Sequence, residues 1–189
     1  LKKIVSGVIM LRNSTDSFGS LSRFLHWVVG LMIIGLLCVG FYMTDLPNSD
    51  EKWQIYGLHK ATGTLVFGLI IIRILWRLIN VAPELPTTMK PLLQTGYKLG
   101  VKSMYLLMFV MPLSGIFMSL YSGHDISVYG LFSIKAFELS NKELAHILHS
   151  IHVYSGIILA CIISVHTMLA LYHHLIVKDR LLLRMICGK

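Results

Sequence analysis

His152 and His166 lie 14 residues apart inside one long apolar stretch. An α-helix turns about 100° and rises about 1.5 Å per residue, so this interval covers roughly 21 Å of axis and stops about 40° short of four turns. Both imidazoles therefore project from nearly one face, at two depths. His26 and His59 each fall near the start of another apolar segment. Ionisable side chains are costly in membrane interiors and mark functional positions there. A neutral imidazole is a good metal ligand, and two of them on opposite faces of a porphyrin complete the axial coordination of its iron. The chemistry suggested by these spacings is the binding of two haems.

The segments that must position these residues are hydrophobic. The 189-residue chain is 55% apolar and 14% charged, with a mean hydropathy of +0.71. Such values depart from those of soluble domains and predict an integral membrane protein. Four segments, near 21–42, 55–79, 99–120 and 145–177, are long enough to cross a hydrocarbon core about 30 Å thick. The first is too long, and too closely followed by further spans, to read as a cleaved signal peptide. The expected fold is an all-α integral membrane four-helix bundle, with residues 1–18 a cytoplasmic N-terminal tail and residues 19–189 the bundle.

The net charge of +8 follows topology. With four spans, the two termini and the loop between spans two and three share one side. That side holds 13 of the 17 Lys and Arg residues, from Lys2, Lys3, Arg12 and Arg23 to Arg184 and Lys189; the other holds Lys52, Lys60, Lys135 and Lys142. The bias predicts that both termini are cytoplasmic and argues against nucleic-acid binding. Cys38, Cys161 and Cys187 lack metal-like spacing and read as small hydrophobes or tail residues rather than a disulfide framework.

Local signals divide the chain further. Ser20 or Ser22 is expected to cap the first helix. Pro47 marks a short external connection over 44–52, and Pro83, Pro86 and Pro91 mark the cytoplasmic linker. Pro112, with Gly115 nearby, is expected to kink span three. The segment 122–142 is the longest external loop and is expected to cover one end of the bundle.

Depth pairs the histidines. Span two and span four both start outside, which puts His59 level with His152; His26 and His166 then share the inner level. Each has a small residue four positions on, namely Gly30, Gly63, Gly156 and Ala170. Positions i and i+4 share a helix face, so these leave room for a flat macrocycle, although ordinary small-residue helix packing gives the same pattern. Arg73, 14 residues after His59, reaches the inner level and is a candidate for neutralising haem propionates, as is Arg23; Lys60 is a weaker outer candidate. A topogenic arginine snorkelling to lipid phosphates is the plain alternative for Arg73. His146, His149 and His152 form an HxxHxxH run, but that series spreads around a helix and lacks a carboxylate or cysteine to complete a zinc site. His124 reads as solvated. His173, seven residues after His166, forms a polar group with His174 and Lys178 near the inner level.

Several segments resemble the bacterial cytochrome b561 family of four-helix dihaem membrane proteins. They are RFLHW at 23–27, GLHKATG at 57–63, MPLSGIFMS at 111–119, HVYSGIILACIISVH at 152–166, and HH with KDRLLLRM between 173 and 185. The similarity spans roughly residues 20–186 and departs from the usual ending at Ile186 and Cys187, while the N-terminal tail is longer than in compact members. The resemblance implies two b-type haems on His26, His59, His152 and His166, in the bacterial inner membrane, with electron transfer between a periplasmic donor and the quinone pool. One branch of the family is similar to a superoxide oxidase that reduces ubiquinone, and His173, His174 and Lys178 match its motif near a quinone site.

The leading expectation is therefore a superoxide:quinone oxidoreductase, with Lys52, Lys60 and Lys142 attracting an anion at the outer edge and His173 or His174 assisting proton delivery. A cytochrome subunit serving another redox partner, such as a hydrogenase or dehydrogenase, is the alternative. A transporter or metal carrier using the same histidines is a third reading, distinguished by the absence of pigment.

Overall fold

A computed structural model describes residues 10–85 and 89–188; Lys2, Lys3, Pro86 and Lys189 lie outside them. Four helices long and apolar enough to cross a membrane dominate it. These are α1 (Ser20–Asp45), α2 (Asp50–Leu78), α3 (Pro91–Tyr121) and α4 (Lys142–Tyr172). Each starts ahead of the apolar segment expected from composition, and polar residues supply the caps of α2 and α4. Ser49 accepts the Lys52 amide at 3.2 Å, and Asn141 accepts that of Leu144 at 3.0 Å. Asp50 and Glu51 occupy the first turn of α2, and Pro91 opens α3, where its missing N–H costs nothing.

The start of α1 corrects the expected serine cap. Gly19 is the capping residue, and its helix end has no side-chain cap. Asn13 takes over part of that task, accepting the Gly19 amide at 2.9 Å and the Ser22 hydroxyl at 2.7 Å while donating to Val81 O at 2.8 Å. Residues 10–18, expected as part of a tail, thus fold back against the α2 exit.

The bundle is a ring in chain order. α1 packs on α2, α2 on α3, and α3 most extensively on α4, whereas α4 meets α1 only sparsely. All four helices feed one core cluster: Val29, Ile33 and Leu36 from α1, Val66 and Ile70 from α2, Met108 and Met111 from α3, and Leu159 from α4. Large apolar residues such as Leu31, Ile72, Leu106 and Ile158 point outward and are exposed. An outward apolar surface on such a bundle is the complement of a lipid solvent. α3 continues through Pro112, which is buried within it.

At one end, residues 122–141 carry a hairpin of β1 (Ile126–Val128) and β2 (Phe132–Ile134). Ile126 and Val128 are fully buried against Leu120, so the loop caps this hairpin end as a packed unit. At the opposite end, α4 passes into a π-helical turn (His173–Val177) and a short α5 (Leu181–Ile186). Arg23 Nη1 and Trp27 Nε1 each bond α5 carbonyls at 3.0 Å, those of Ile186 and Met185, so both described chain ends meet at this termini end.

A Cβ at Gly19 would lie 2.2 Å from Leu11 O and 2.5 Å from the Arg12 backbone. Gly19→Ala is expected to destabilise the folded-back segment by about 1–3 kcal/mol, read as faster amide exchange at residues 10–18 with the spans unchanged. In the hairpin, the Ala136 amide and the Lys135 ammonium, each 2.8 Å from Asp125, hold its carboxyl below the ordinary carboxylate range. A depressed carboxyl favours the ordered form above the ordinary pKa of about 3.9, and that contribution disappears as pH falls through the lowered value. Hairpin amide exchange should therefore accelerate in acid, and Asp125→Asn should remove this pH dependence.

Candidate functional site

α4 supplies one ring to each of two facing imidazole pairs. His26 of α1 and His166 of α4 have ring centres 6.3 Å apart at 60°. His59 of α2 and His152 of α4 have ring centres 6.3 Å apart at 85°. Two metal–nitrogen bonds of about 2 Å, with about 1.1 Å from each nitrogen to its ring centre, place two axial imidazoles about 6 Å apart. Both pairs meet that requirement. The separation is too wide for a direct hydrogen bond between rings. All four rings are half-buried, at the margin of the slot that α4 leaves toward α1 and α2.

A seven-residue rhythm places these levels. Leu159 lies midway between His152 and His166, Val66 midway between His59 and Arg73, and Ile33 seven residues beyond His26. Seven residues advance a helix by about 10 Å with only a 20° change of direction. These three apolar residues are 0%, 2% and 1% exposed and meet in the core cluster, so an apolar layer separates the two histidine levels. A further step of seven reaches Gly40 on α1, where an added Cβ would lie 3.5 Å from His59 Cε1.

His152 is oriented through its second nitrogen. Nδ1 donates to the Met111 carbonyl at 2.7 Å, the same oxygen that accepts Ser114 Oγ at 2.8 Å. A backbone acceptor at Nδ1 fixes the tautomer with Nε2 free to ligate. This approach requires Gly115, because a Cβ there would fall 2.7 Å from His152 Nδ1. Gly115 and the Met111 carbonyl were not among the expected site residues; the sequence signals were proximity to Pro112 and a place in the MPLSGIFMS segment at 111–119. At His59, Nδ1 is buried without a partner among the described residues, an unsatisfied polar atom of the kind that ligand binding can resolve.

The pair toward the termini end, His26 and His166, is organised differently. Arg73 Nη2 lies 2.9 Å from His26 Nδ1, Nη1 donates to Leu25 O and His26 O at 3.2 and 3.3 Å, and Nε donates to Tyr105 Oη at 3.4 Å. The guanidinium also stands 5.6 Å from the Tyr105 ring centre. An arginine at a helix centre in a bilayer costs at least about 2.5–3.5 kcal/mol without such partners. Because arginine only donates, His26 Nδ1 accepts here and the ring proton is on Nε2. Were His26 to ligate a haem iron through Nε2, its proton would sit on Nδ1 and Arg73 would need another acceptor, for which a carboxylate is chemically matched.

The glycines divide. A Cβ added at Gly30 or Gly63 would meet nothing within 4 Å, as at Gly35, Gly57 and Gly68. At Gly156 it would make ordinary van der Waals contacts, with Met111 Sδ of α3 at 3.6 Å and Leu37 of α1 at 3.8 Å.

Other expected residues serve local contacts. Arg23 reaches Ile186 O, while its Nε is buried without a partner among the described residues. Lys60 approaches Ser119 Oγ at 3.3 Å and Asp125 O at 3.5 Å, and Lys52 donates to Leu46 O at 2.6 Å. Lys142 is exposed at the start of α4. His173 pairs with Asp179, which sequence reasoning had not singled out; His174 is half-buried, and Lys178 is exposed, its backbone N–H closing the turn on His173 O. His146, His149 and His124 are exposed, and among the described residues no three His, Cys, Asp or Glu side chains converge on a metal position.

The comparisons with known proteins agree with this architecture. The family model for prokaryotic cytochrome b561 matches residues 17–188. The chain is 29% identical over 175 residues to cytochrome b561 homolog 2 of Escherichia coli K12, covering 92% of this chain and 93% of the relative. It is 28% identical over 169 residues to the probable superoxide oxidase CybB of Yersinia pestis, covering 87% and 93%. Cytochrome b561 homolog 1 of E. coli K12 is 25% identical over 172 residues, covering 90% and 97%. A multi-pass membrane fold, facing imidazoles suited to b-type haem and a match over nearly the whole chain lead to one conclusion: the chain belongs to the prokaryotic cytochrome b561 family of membrane cytochromes b.

Proposed function

We propose that the protein is a dihaem quinone reductase of the bacterial inner membrane that oxidises superoxide at its hairpin end, with both termini cytoplasmic. The observation that carries this reading is the pair of equal 6.3 Å imidazole gaps at two depths along α4. His59 and His152 would hold one haem b, and His26 and His166 the other. When bound, these groups supply two one-electron redox centres, one near each face of the bilayer.

The chain's own residues then have distinct tasks. The Met111 carbonyl and Gly115 hold His152 in the ligating tautomer. The plug of Ile33, Val66 and Leu159 keeps water and protons from passing between the levels. Arg73 places a permanent positive charge beside the inner pair, where it favours an arriving electron and matches the proposed inward direction. Lys52, Lys60 and Lys142 at the hairpin end draw in a small anion, and oxidation of that anion requires no acid–base group. At the other end His173, with His174 and Lys178 nearby, forms the quinone and proton site. Similarity to a probable superoxide oxidase supports the choice of donor.

Purified protein should show a reduced-minus-oxidised spectrum of b-type haem at two per chain, followed by haem reduction on adding superoxide and reoxidation on adding a short-chain quinone. His152→Ala should lower the stoichiometry to one; retention of two would remove His152 from the ligand set. Gly115→Ala should selectively weaken the same haem, about 10–100-fold in affinity, through displacement of the His152 ring. Gly30→Ala and Gly63→Ala provide a separate check. Neither Cβ meets protein, so the fold should persist with lowered haem content; full haem occupancy would place the macrocycles elsewhere.

A further inference from the structure

Beyond His166, α4 does not end in an ordinary cap. Residues His173–Val177 form a π-helical turn, and Lys178 closes it in the left-handed region at φ 58°. Both features are disfavoured in themselves and recur at functional positions. Together they bring the chain back over the helix end. Asp179 Oδ2 reaches His173 Nδ1 at 2.5 Å, Oδ1 accepts the Leu181 amide at 3.0 Å, and the Asp179 amide donates to His173 O at 3.1 Å. In an undistorted helix, residue 179 would lie about 9 Å along the axis and about 120° around it from residue 173, out of reach.

The pair is sheltered, its side chains being 22% and 21% exposed. Neighbouring cations are directed elsewhere: Arg184 Nη1 donates to Glu84 O at 2.8 Å, Arg23 Nη1 donates to Ile186 O at 3.0 Å, and Lys178 and Arg180 are exposed. A carboxylate only accepts, so the His173 proton sits on Nδ1 and Nε2 is the nitrogen left for chemistry. His173 lies one seven-residue step beyond His166 on nearly the same helix face.

We infer that Asp179 is a positioning residue for quinone protonation: it holds His173 with Nε2 presented to a quinone carbonyl oxygen at the termini end. This assignment rests on the quinone reading above. A quinone becomes a quinol by taking two electrons and two protons. The electrons come singly from the superoxide donor, each superoxide leaving as dioxygen. Each proton passes from Nε2 of the His173 imidazolium to a carbonyl oxygen, and water at the termini end then reprotonates the ring. Asp179 exchanges no proton.

The test uses the haem-loaded full chain in lipid nanodiscs, with wild type, Asp179→Asn, Asp179→Glu and His173→Gln. Nitrogen NMR of histidine-labelled protein, assigned by the signal missing in His173→Gln, should show Nδ1–H at His173 in wild type and a mixed tautomer in Asp179→Asn. Stopped-flow reoxidation of the reduced protein by a short-chain benzoquinone should slow about 10–100-fold in kcat in Asp179→Asn, with KM within about twofold. Asp179→Glu should recover most of the rate. Asparagine retains the oxygen that caps Leu181, so a purely structural role predicts a wild-type rate for Asp179→Asn, and that result overturns the assignment. Should Asp179→Asn fail to fold, Asp179→Glu decides: a retained Nδ1–H signal with a lost rate overturns it, and retention of both supports it. Wild-type protein that leaves the quinone unreduced overturns the underlying reading and this one with it, whereas an active wild type with an equally active Asp179→Asn overturns only the role of Asp179.

Discussion

The structure depends on keeping α4 at one metal's width from α1 and α2. Two imidazoles 6.3 Å apart are too distant to bond each other and too close to admit a packed side chain. Something else must therefore hold the helices at that spacing. α3 does so, packing extensively along α4 while α4 meets α1 only sparsely. The proposed haem sites are thus set by a helix that contributes no ligand, through contacts as tight as Gly115 against His152.

The same packing explains how two sites fit in one bundle without merging. Leu159, Val66 and Ile33 each stand one seven-residue step from a histidine, and they close together in the middle. Apolar contact along this layer gives the helices their fixed register, and the register sets both ligand levels at once. A shift of α4 by one residue would rotate both of its histidines by about 100° and dismantle both pairs together.

The two levels differ in polarity. The hairpin-end pair is steadied by a neutral backbone carbonyl at His152, the termini-end pair by a cation shared among His26, two carbonyls and Tyr105. In a low-dielectric interior a fixed charge acts strongly on nearby redox and proton equilibria. The asymmetry lies in the protein, and in the proposed reading it orders electron flow from the hairpin end toward the His173–Asp179 end.

Much of this was legible from the residues in order. The four spans follow from hydropathy, and the interval from His152 to His166 encodes two depths because helix rise and turn are constant. Pairing by level anticipated which rings face one another, and Gly30 and Gly63 do border open space. Other details depended on neighbours distant in sequence. Gly156 follows the same offset as Gly30 and Gly63, yet a Cβ there would touch Met111 of α3 and Leu37 of α1. Ser20 and Ser22 looked like caps, but the Asn13 side chain lay closer once residues 10–18 folded back. Arg73 reached the inner level as helix geometry requires, but its contact with His26 Nδ1 arises from α1 packing on α2. Asp179 was invisible because its contact with His173 requires a π turn and a left-handed residue, which residue spacing does not announce. The sequence by itself determined the number of spans, the two histidine depths and the shared face on α4, all consequences of local periodicity. Tertiary structure alone decided which glycines meet a neighbour, which nitrogen of His26 and of His152 is engaged and which carboxylate meets His173, because those depend on how closely separate segments approach.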